Sequence, residues 1–428
     1  MDRKKKKQAA IKSAANVEQV RKALKERFMD RIKKIITLIG GPELLAKFPP
    51  IFIYHLYEVR YPVLKAKAAP GSEMSKTRIV QFNKLMYQLM EGIDIELDNG
   101  NTIPLTWYLS EGLTLIDCVG EIDVAVDPDL SDLKTHFLPY LHDSKTHREL
   151  QDGLVNLVTH TCRLLADYND QIYSADLSMT PYFARFNPQN DIIIHPFKPE
   201  KHQIMVKDSF RSAIRLSWAS PDQVMEYFNV KPSLLGFKTA GLDIPLPLYI
   251  TIHALDRLRE RINITPGIMH EILLLTFLQN KIPHRWSGNE SQVDFCIADQ
   301  KVGYFAVKLH GDKLVVRTFL FLTNNDTFEG EKLSRLLNIN KIDKEYLAID
   351  TLPAFNSYHI DQNEKLSKLF KDAGCGSLLG LGYLQEFTAN QVKDKDPESI
   401  LQYLADAPYF NRQLQTDTPY EHDGLSID

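Results

Sequence analysis

The stretch that decides the fold lies between Thr251 and Leu322. It opens TIHALDRLRERINITPGIMHEILLLTFLQ (251–279) and closes VDFCIADQKVGYFAVKLHGDKLVVRTFLFL (293–322). In the first part Leu255, Leu258 and Ile262 recur at helical spacing, so Thr251–Ile262 is read as a helix. Asn263–Thr265 breaks it. Thr265 then offers an N-cap and Pro266 a first helical position, which starts a second, strongly apolar helix over Pro266–Gln279. In the second part Val293–Ala298, Val302–Leu309 and Leu314–Leu322 read as strands. Their connectors, Asp299-Gln300-Lys301 and His310-Gly311-Asp312, are short enough to join only antiparallel neighbours. Lys281–Gly288 is a candidate edge strand, and a short helix over Glu329–Leu337 closes the block. Helices followed by a meander define an α+β domain.

Working outward, Lys231–Pro247 is rich in Pro and Gly and reads as a boundary. Upstream, Val17, Val20, Leu24, Phe28, Ile32 and Ile35–Ile36 share one face of a long amphipathic helix, which Gly40-Gly41-Pro42 stops. Ala66–Ser75 reads as a loop and Lys76–Met90 as a helix. Ile93–Leu97 and Thr102–Trp107 flank the hairpin turn Asp98-Asn99-Gly100. Thr146–Asp167 is helical and Ile192–Ile194 a short strand, while Met205–Trp218 and Pro221–Phe228 read as helical. The expected class is α+β, a mostly helical N-terminal region followed by a helix-on-antiparallel-sheet domain. The expected divisions are a basic helix or arm (1–40), a mainly helical domain with a small β element (41–240), the α+β domain (248–350) and a helical, partly disordered acidic tail (351–428).

Charge is unevenly spread. The 428 residues carry a net −4, yet residues 1–34 hold 13 Lys/Arg against 4 Asp/Glu, and residues 393–428 hold 3 against 8. The run Lys4, Lys5, Lys6 and Lys7 is a candidate contact for nucleic-acid phosphates; its plain alternative is a solvated helix end. No apolar run reaches the ~20 residues of a membrane span, and no signal core follows the lysines, so a cytoplasmic protein without a membrane partner is expected. Cys118, Cys162, Cys296 and Cys375 form no CxxC pair, and His136, His142, His147 and His160 with Asp132 and Asp143 fit no zinc spacing. Asp117, Glu121, Asp123 and Asp127 read as lying in an alternating apolar strand, GEIDVAVDP, in which Asp123 is a minor candidate for the carboxylate pair of a metal nuclease or nucleotidyltransferase. Gly374–Gly382 lacks the strand and the Lys-Ser/Thr of a phosphate loop. No cofactor and no metal are expected.

Chemistry concentrates on His253, Arg257 and Arg261, spaced i, i+4 and i+8 along one helical stripe. The following strands add Lys308, His310, Arg317 and Thr318. Cleavage of RNA by its own 2′-hydroxyl needs a proton acceptor, a proton donor and cations for the phosphorane, and no metal. A histidine with arginines supplies that set. The plain alternative is a surface helix whose Asp256 and Glu260 pair with neighbouring arginines. Arg317 and Thr318 are adjacent on a strand, so they face opposite sides of the sheet unless a bulge intervenes.

The run HALDRLRERINI, the apolar helix after it and the strand VVRTFLFLT resemble the small metal-independent ribonuclease and toxin domains of the RelE, colicin and barnase type, most of all those that open on a His-Ala-x-x-Arg-x-x-x-Arg helix. The resemblance covers residues 250–347. It implies one or two helices packed on an antiparallel sheet, a metal-independent endoribonuclease of toxin or phage-defence type, and RNA as substrate. His253 would be acid or base, Arg257, Arg261 and Arg317 phosphate ligands, and Thr318 the orienting group. An antitoxin or other protein partner and an oligomer are compatible with it. The other readings are a non-catalytic nucleic-acid- or protein-binding module that keeps this fold, and a structural or assembly protein built on residues 1–240.

Overall fold

The computed structural model describes residues 2–122, 131–141, 144–180, 189–206, 209–238, 243–387 and 392–405; the side chains of residues 2–17, the tetralysine run included, lie outside the description. The chain is α+β and divides into two compact units. The first comprises residues 1–162, 173–196 and 221–223, and the second residues 163–172, 197–220 and 224–428.

The first unit runs α1 (Asp2–Lys47), α2 (Pro50–Glu58), β1 (Lys65–Ala68), α3 (Lys76–Glu91), β2 (Asp94–Glu96), β3 (Thr102–Pro104), α4 (Leu105–Trp107), a π turn over Tyr108–Gly112, α5 (Leu113–Gly120) and α6 (Ser131–Phe137). It then takes most of α7 (Lys145–Leu165), β4 (Ile172–Thr180) and β5 (Gln189–Phe197). Helix α1 breaks where the sequence places a stop: Gly41 has φ 77°, a left-handed value that glycine adopts without strain. The freed carbonyls are capped by the β2–β3 hairpin, whose Asn99 and Asn101 amides donate to Leu38 O at 2.7 and 2.8 Å. Asp117 lies on helix α5 and not on a strand, which corrects the alternating-strand reading at that residue; Asp123 and Asp127 lie outside the described residues.

The second unit is built on one eight-stranded sheet. Its strands are β6 (Lys201–Val206), β7 (Ser209–Arg215), β10 (Asn229–Val230), β11 (Leu246–Thr251), β12 (His284–Ser287), β13 (Glu290–Ile297), β14 (Gln300–His310) and β15 (Lys313–Phe321). The order is β12-β13-β14-β15-β11-β7-β6, with β10 beside β11. A small separate ribbon pairs β8 (Ser217–Ala219) with β9 (Met225–Tyr227). Met205–Trp218 and Pro221–Phe228 therefore form strands, not the helices expected. Ile214, Leu216 and Trp218 alternate with Arg215 and Ser217, the period-two pattern of a strand, and pairing with β6 and β11 fixes it.

The meander β12–β15 is antiparallel as expected, and β11 joins it in parallel, with Tyr249 opposite Val315. Two helices, α8 (Ile252–Ile262) and α9 (Pro266–Leu278), follow β11. Thr251 caps α8 by accepting from the Ala254 N–H at 3.1 Å. Leu255, Leu258, Phe277, Val293, Phe295, Phe305 and Phe319 are buried, and Phe277 stacks on Phe305 with ring centroids 6.0 Å apart. Gly303 is required here, since a Cβ would sit 2.2 Å from Leu320 O. Helices α10 (Phe328–Leu337), α11 (Lys341–Leu347), α12 (Leu352–Ser357) and α13 (Glu364–Ala373) complete the unit. Among the described residues no helix is long and apolar enough to cross a membrane.

Candidate nucleic-acid site

Helix α8 does not present its three basic residues as one open stripe. Each step of four residues advances ~40° around a straight helix, so Arg261 has turned ~80° from His253. His253 is exposed. Arg257 is half-buried and pairs with Glu260 at 2.7 Å. Arg261 has rotated to the inner side beside Leu258 and Ile262, where it is 7% exposed. Its guanidinium donates to the Asp350 carbonyl at 3.1 Å and pairs with the Asp350 carboxylate. The expected projection of all three into a groove or solvent is corrected for Arg261, whose guanidinium is turned inward and held on both the carbonyl and the carboxylate of Asp350. Burial, and then Arg257 and Arg211, hold the His253 pKa below 6.5.

The strand residues gather elsewhere. The β14–β15 ladder pairs Ala306 with Thr318 and Val307 with Val316, leaving Arg317 as an extra residue. This is the bulge that lets two neighbours share a face. Arg317 pairs with Glu290 of β13. Thr318 stands opposite Ala306, which stands opposite Gln292, two residues along β13 from Glu290 and so on the same face. Lys308 and His310 follow Ala306 at the same parity on β14. Arg317, Thr318, Lys308, His310 and Glu290 therefore line one face of the sheet, opposite the face that carries Phe295, Phe305 and Phe319.

Two polar atoms in this group are buried without a hydrogen-bond partner, His310 Nε2 and Arg317 Nε. Leaving such an atom unmet costs ~1–3 kcal/mol. Burial is the main cause that lowers the His310 pKa below 6.5. Lys308 and Arg317 lower it further and Glu290 opposes them. The imidazole is therefore neutral at neutral pH and ready to accept a proton. The charges acting on His310 are Lys308, Arg317 and Glu290, whereas those acting on His253 are Arg257, Arg211, Asp256 and Glu260. These are two separate groups, one on the strands and one on the helix.

Glu290 was missed in the sequence. Its only signal is that it opens strand β13 just after the Gly288 turn, directly opposite the strand carrying Lys308. Among the described residues no three His, Cys, Asp or Glu side chains are grouped to hold a metal ion. His136, His147 and His160 lie on α6 and α7, and His142 and Asp143 lie outside the described residues. Comparison with protein-family models, with curated proteins and with solved structures gives no match.

Proposed function

We propose that the second unit is a metal-independent endoribonuclease whose phosphodiester site is the strand face bearing Lys308, His310, Arg317 and Thr318. The observation that carries this reading is the Arg317 bulge. It places two cations, a neutral histidine and a hydroxyl on one side of the sheet, with the buried His310 Nε2 and Arg317 Nε unpartnered. Neutral His310 takes the 2′-hydroxyl proton as the 2′-oxygen bonds to phosphorus. The Arg317 guanidinium, oriented by Glu290, and the Lys308 ammonium face the phosphorane oxygens. The P–O5′ bond breaks, and Lys308 supplies the proton to the departing 5′-oxygen. Thr318 hydrogen-bonds a non-bridging oxygen. The products are a 2′,3′-cyclic phosphate and a 5′-hydroxyl.

The test is RNA decay in EDTA by the wild-type chain and by His310→Ala, Arg317→Ala and His253→Ala variants. Loss of a general base costs ~10²–10⁴-fold, so that loss is expected for His310→Ala, with a comparable one for Arg317→Ala and a near wild-type rate for His253→Ala. Because His310 must be neutral to act, kcat/KM rises with pH to a plateau, with the midpoint of the rise below that of an ordinary histidine, following the lowered pKa. Equal decay across all four proteins overturns the reading. Salt-sensitive RNA binding without decay favours the non-catalytic binding module instead.

A further inference from the structure

A second feature of the same face is not used by the cleavage scheme. Arg285 on β12 stands opposite Gln292 on β13, Gln292 opposite Ala306 on β14, and Ala306 opposite Thr318 on β15. This is one continuous row across four strands. At ~4.8 Å per strand spacing, Arg285 lies ~14 Å from Thr318 on the same side of the sheet.

The Arg285 guanidinium is fixed from three directions. Its Nε donates to Gln292 Oε1 at 2.9 Å, its Nη2 lies 3.4 Å from Glu329 Oε2, and its plane covers the Tyr304 ring at 4.3 Å. Gln292 is itself held, donating to Asp326 O at 3.0 Å. Tyr304 and Lys301 both bond Glu329 Oε1, at 2.7 and 2.9 Å, so the support beneath the guanidinium is a closed network. Its side chain nevertheless remains 30% exposed. Beside it, at 5.8 Å, is the ring of Phe328, which is 59% exposed although it opens helix α10. A flat cation with its inner side on an aromatic ring and a bare aromatic at its flank is an arrangement on which planar π systems stack. Single-stranded nucleobases are the π systems that a phosphate site ~14 Å away would deliver, since that distance exceeds one stacked nucleotide step of ~3.4 Å and an extended strand bridges it.

We infer that Arg285 and Phe328 form a nucleobase-stacking subsite for single-stranded RNA, holding a base on the exposed part of Arg285 against Phe328, with the strand passing above the row, whose middle residues Gln292 and Ala306 are buried, to place its phosphate at the Arg317 and Thr318 end. The inference rests on the proposed phosphodiester site but concerns binding alone. Arg285 and Phe328 act on the base, and the strand cations act on the phosphate.

The probe is a short single-stranded oligonucleotide with 2′-O-methyl riboses, which has no free 2′-hydroxyl and cannot be cut, together with the same backbone made abasic. Affinities are measured for the full chain and for Phe328→Ala, Arg285→Lys and Arg317→Ala. Loss of base stacking predicts roughly 10-fold weaker binding of the base-bearing oligonucleotide for Phe328→Ala and Arg285→Lys, and unchanged binding of the abasic one. Arg317→Ala is expected to weaken both oligonucleotides alike. Phe328 is exposed, so its truncation leaves the fold intact, and thermal melting checks Arg285→Lys. Wild-type affinity in Phe328→Ala, or equal losses on both oligonucleotides, overturns the subsite even if RNA is cleaved. Base-dependent binding by a chain that leaves unmodified RNA intact upholds the subsite and overturns the ribonuclease reading. No binding of either oligonucleotide by the wild-type chain overturns the subsite.

Discussion

His270 shows how far a single residue's surroundings set its chemistry. It lies on α9 against the Tyr168 ring, 6% exposed, with neither ring nitrogen hydrogen-bonded. Burial is the main cause that pushes its pKa down to about 3, and Arg259 and Arg163 add to it. A histidine depressed in the folded state and ordinary in the unfolded state contributes stability above pH 6.5 that is lost as pH falls toward 3. The wild-type chain is thus expected to lose up to about 1.4 kcal/mol per pH unit below 6.5 from this group, and a His270→Leu variant to lose correspondingly less. Denaturant titrations at several pH values measure it; parallel stability curves for the two proteins would refute the assignment. Arg261 teaches a related lesson. Its i+8 position puts it on the stripe in sequence terms, while the helical drift of ~80° carries it to the core side, where Asp350 meets it. Removing one partner of such a buried pair costs ~3–5 kcal/mol, which is a structural role and not one in catalysis.

At the scale of elements, the site depends on one extra residue in β15. A regular strand would send Arg317 and Thr318 to opposite faces, and the bulge overrides that rule. Regular ladders flank it on both sides, Ala306–Thr318 and Val307–Val316, so excising Arg317 joins two strands already in register. Deletion of Arg317 is expected to change stability by no more than ~1–2 kcal/mol while abolishing RNA cleavage and weakening phosphate binding. Circular dichroism and calorimetry read the first effect, and the EDTA decay assay reads the second. A global unfolding on deletion would show that the bulge is needed for folding and not only for the site. The same elements explain the misread strands. The apolar residues of 205–218 satisfy both a loose helical spacing and a period of two, and local propensity cannot choose between them. β6 joins β7 as a local hairpin, and the choice is made by β11, whose pairing with β7 (Tyr249 opposite Arg215) spans a sequence separation that no local window samples.

At the scale of the whole molecule, the net charge of −4 means that any affinity for RNA must come from a local cluster and not from the chain's mean field. Three cations, Lys308, Arg317 and Arg285, lie on the proposed face. Arg285 is assigned to a base, so Lys308 and Arg317 are the phosphate contacts, and for single strands log K is expected to fall with log salt at a slope near −0.7 per phosphate contacted, about −1.4 for the two. A much steeper slope, measured by titration of the 2′-O-methyl oligonucleotide between low and moderate salt, would mean that other basic segments, such as residues 1–34, carry the binding.

The sequence by itself determined the elements whose signals are local. The α8 and α9 helices follow from apolar periodicity and Pro266; Thr265 stands at the N-cap of α9 but its side chain makes no cap hydrogen bond, whereas Thr251 caps α8. The meander follows from tight turns, at which Ala298, Asp299 and Gly311 take positive φ. The break in α1 follows from Gly40-Gly41. It also marked the neighbourhood of the strand site, since Lys308, His310, Arg317 and Thr318 could all be named in advance. Only the tertiary structure decided that β7 joins β11 in the sheet, that Arg261 turns inward to Asp350, that Arg317 occupies a bulge facing Glu290, and that Arg285 lies over the Phe328 ring. Each of these is a contact between residues distant in the chain, fixed by strand register and by the pairing of buried charge, and neither is encoded in any short window of sequence.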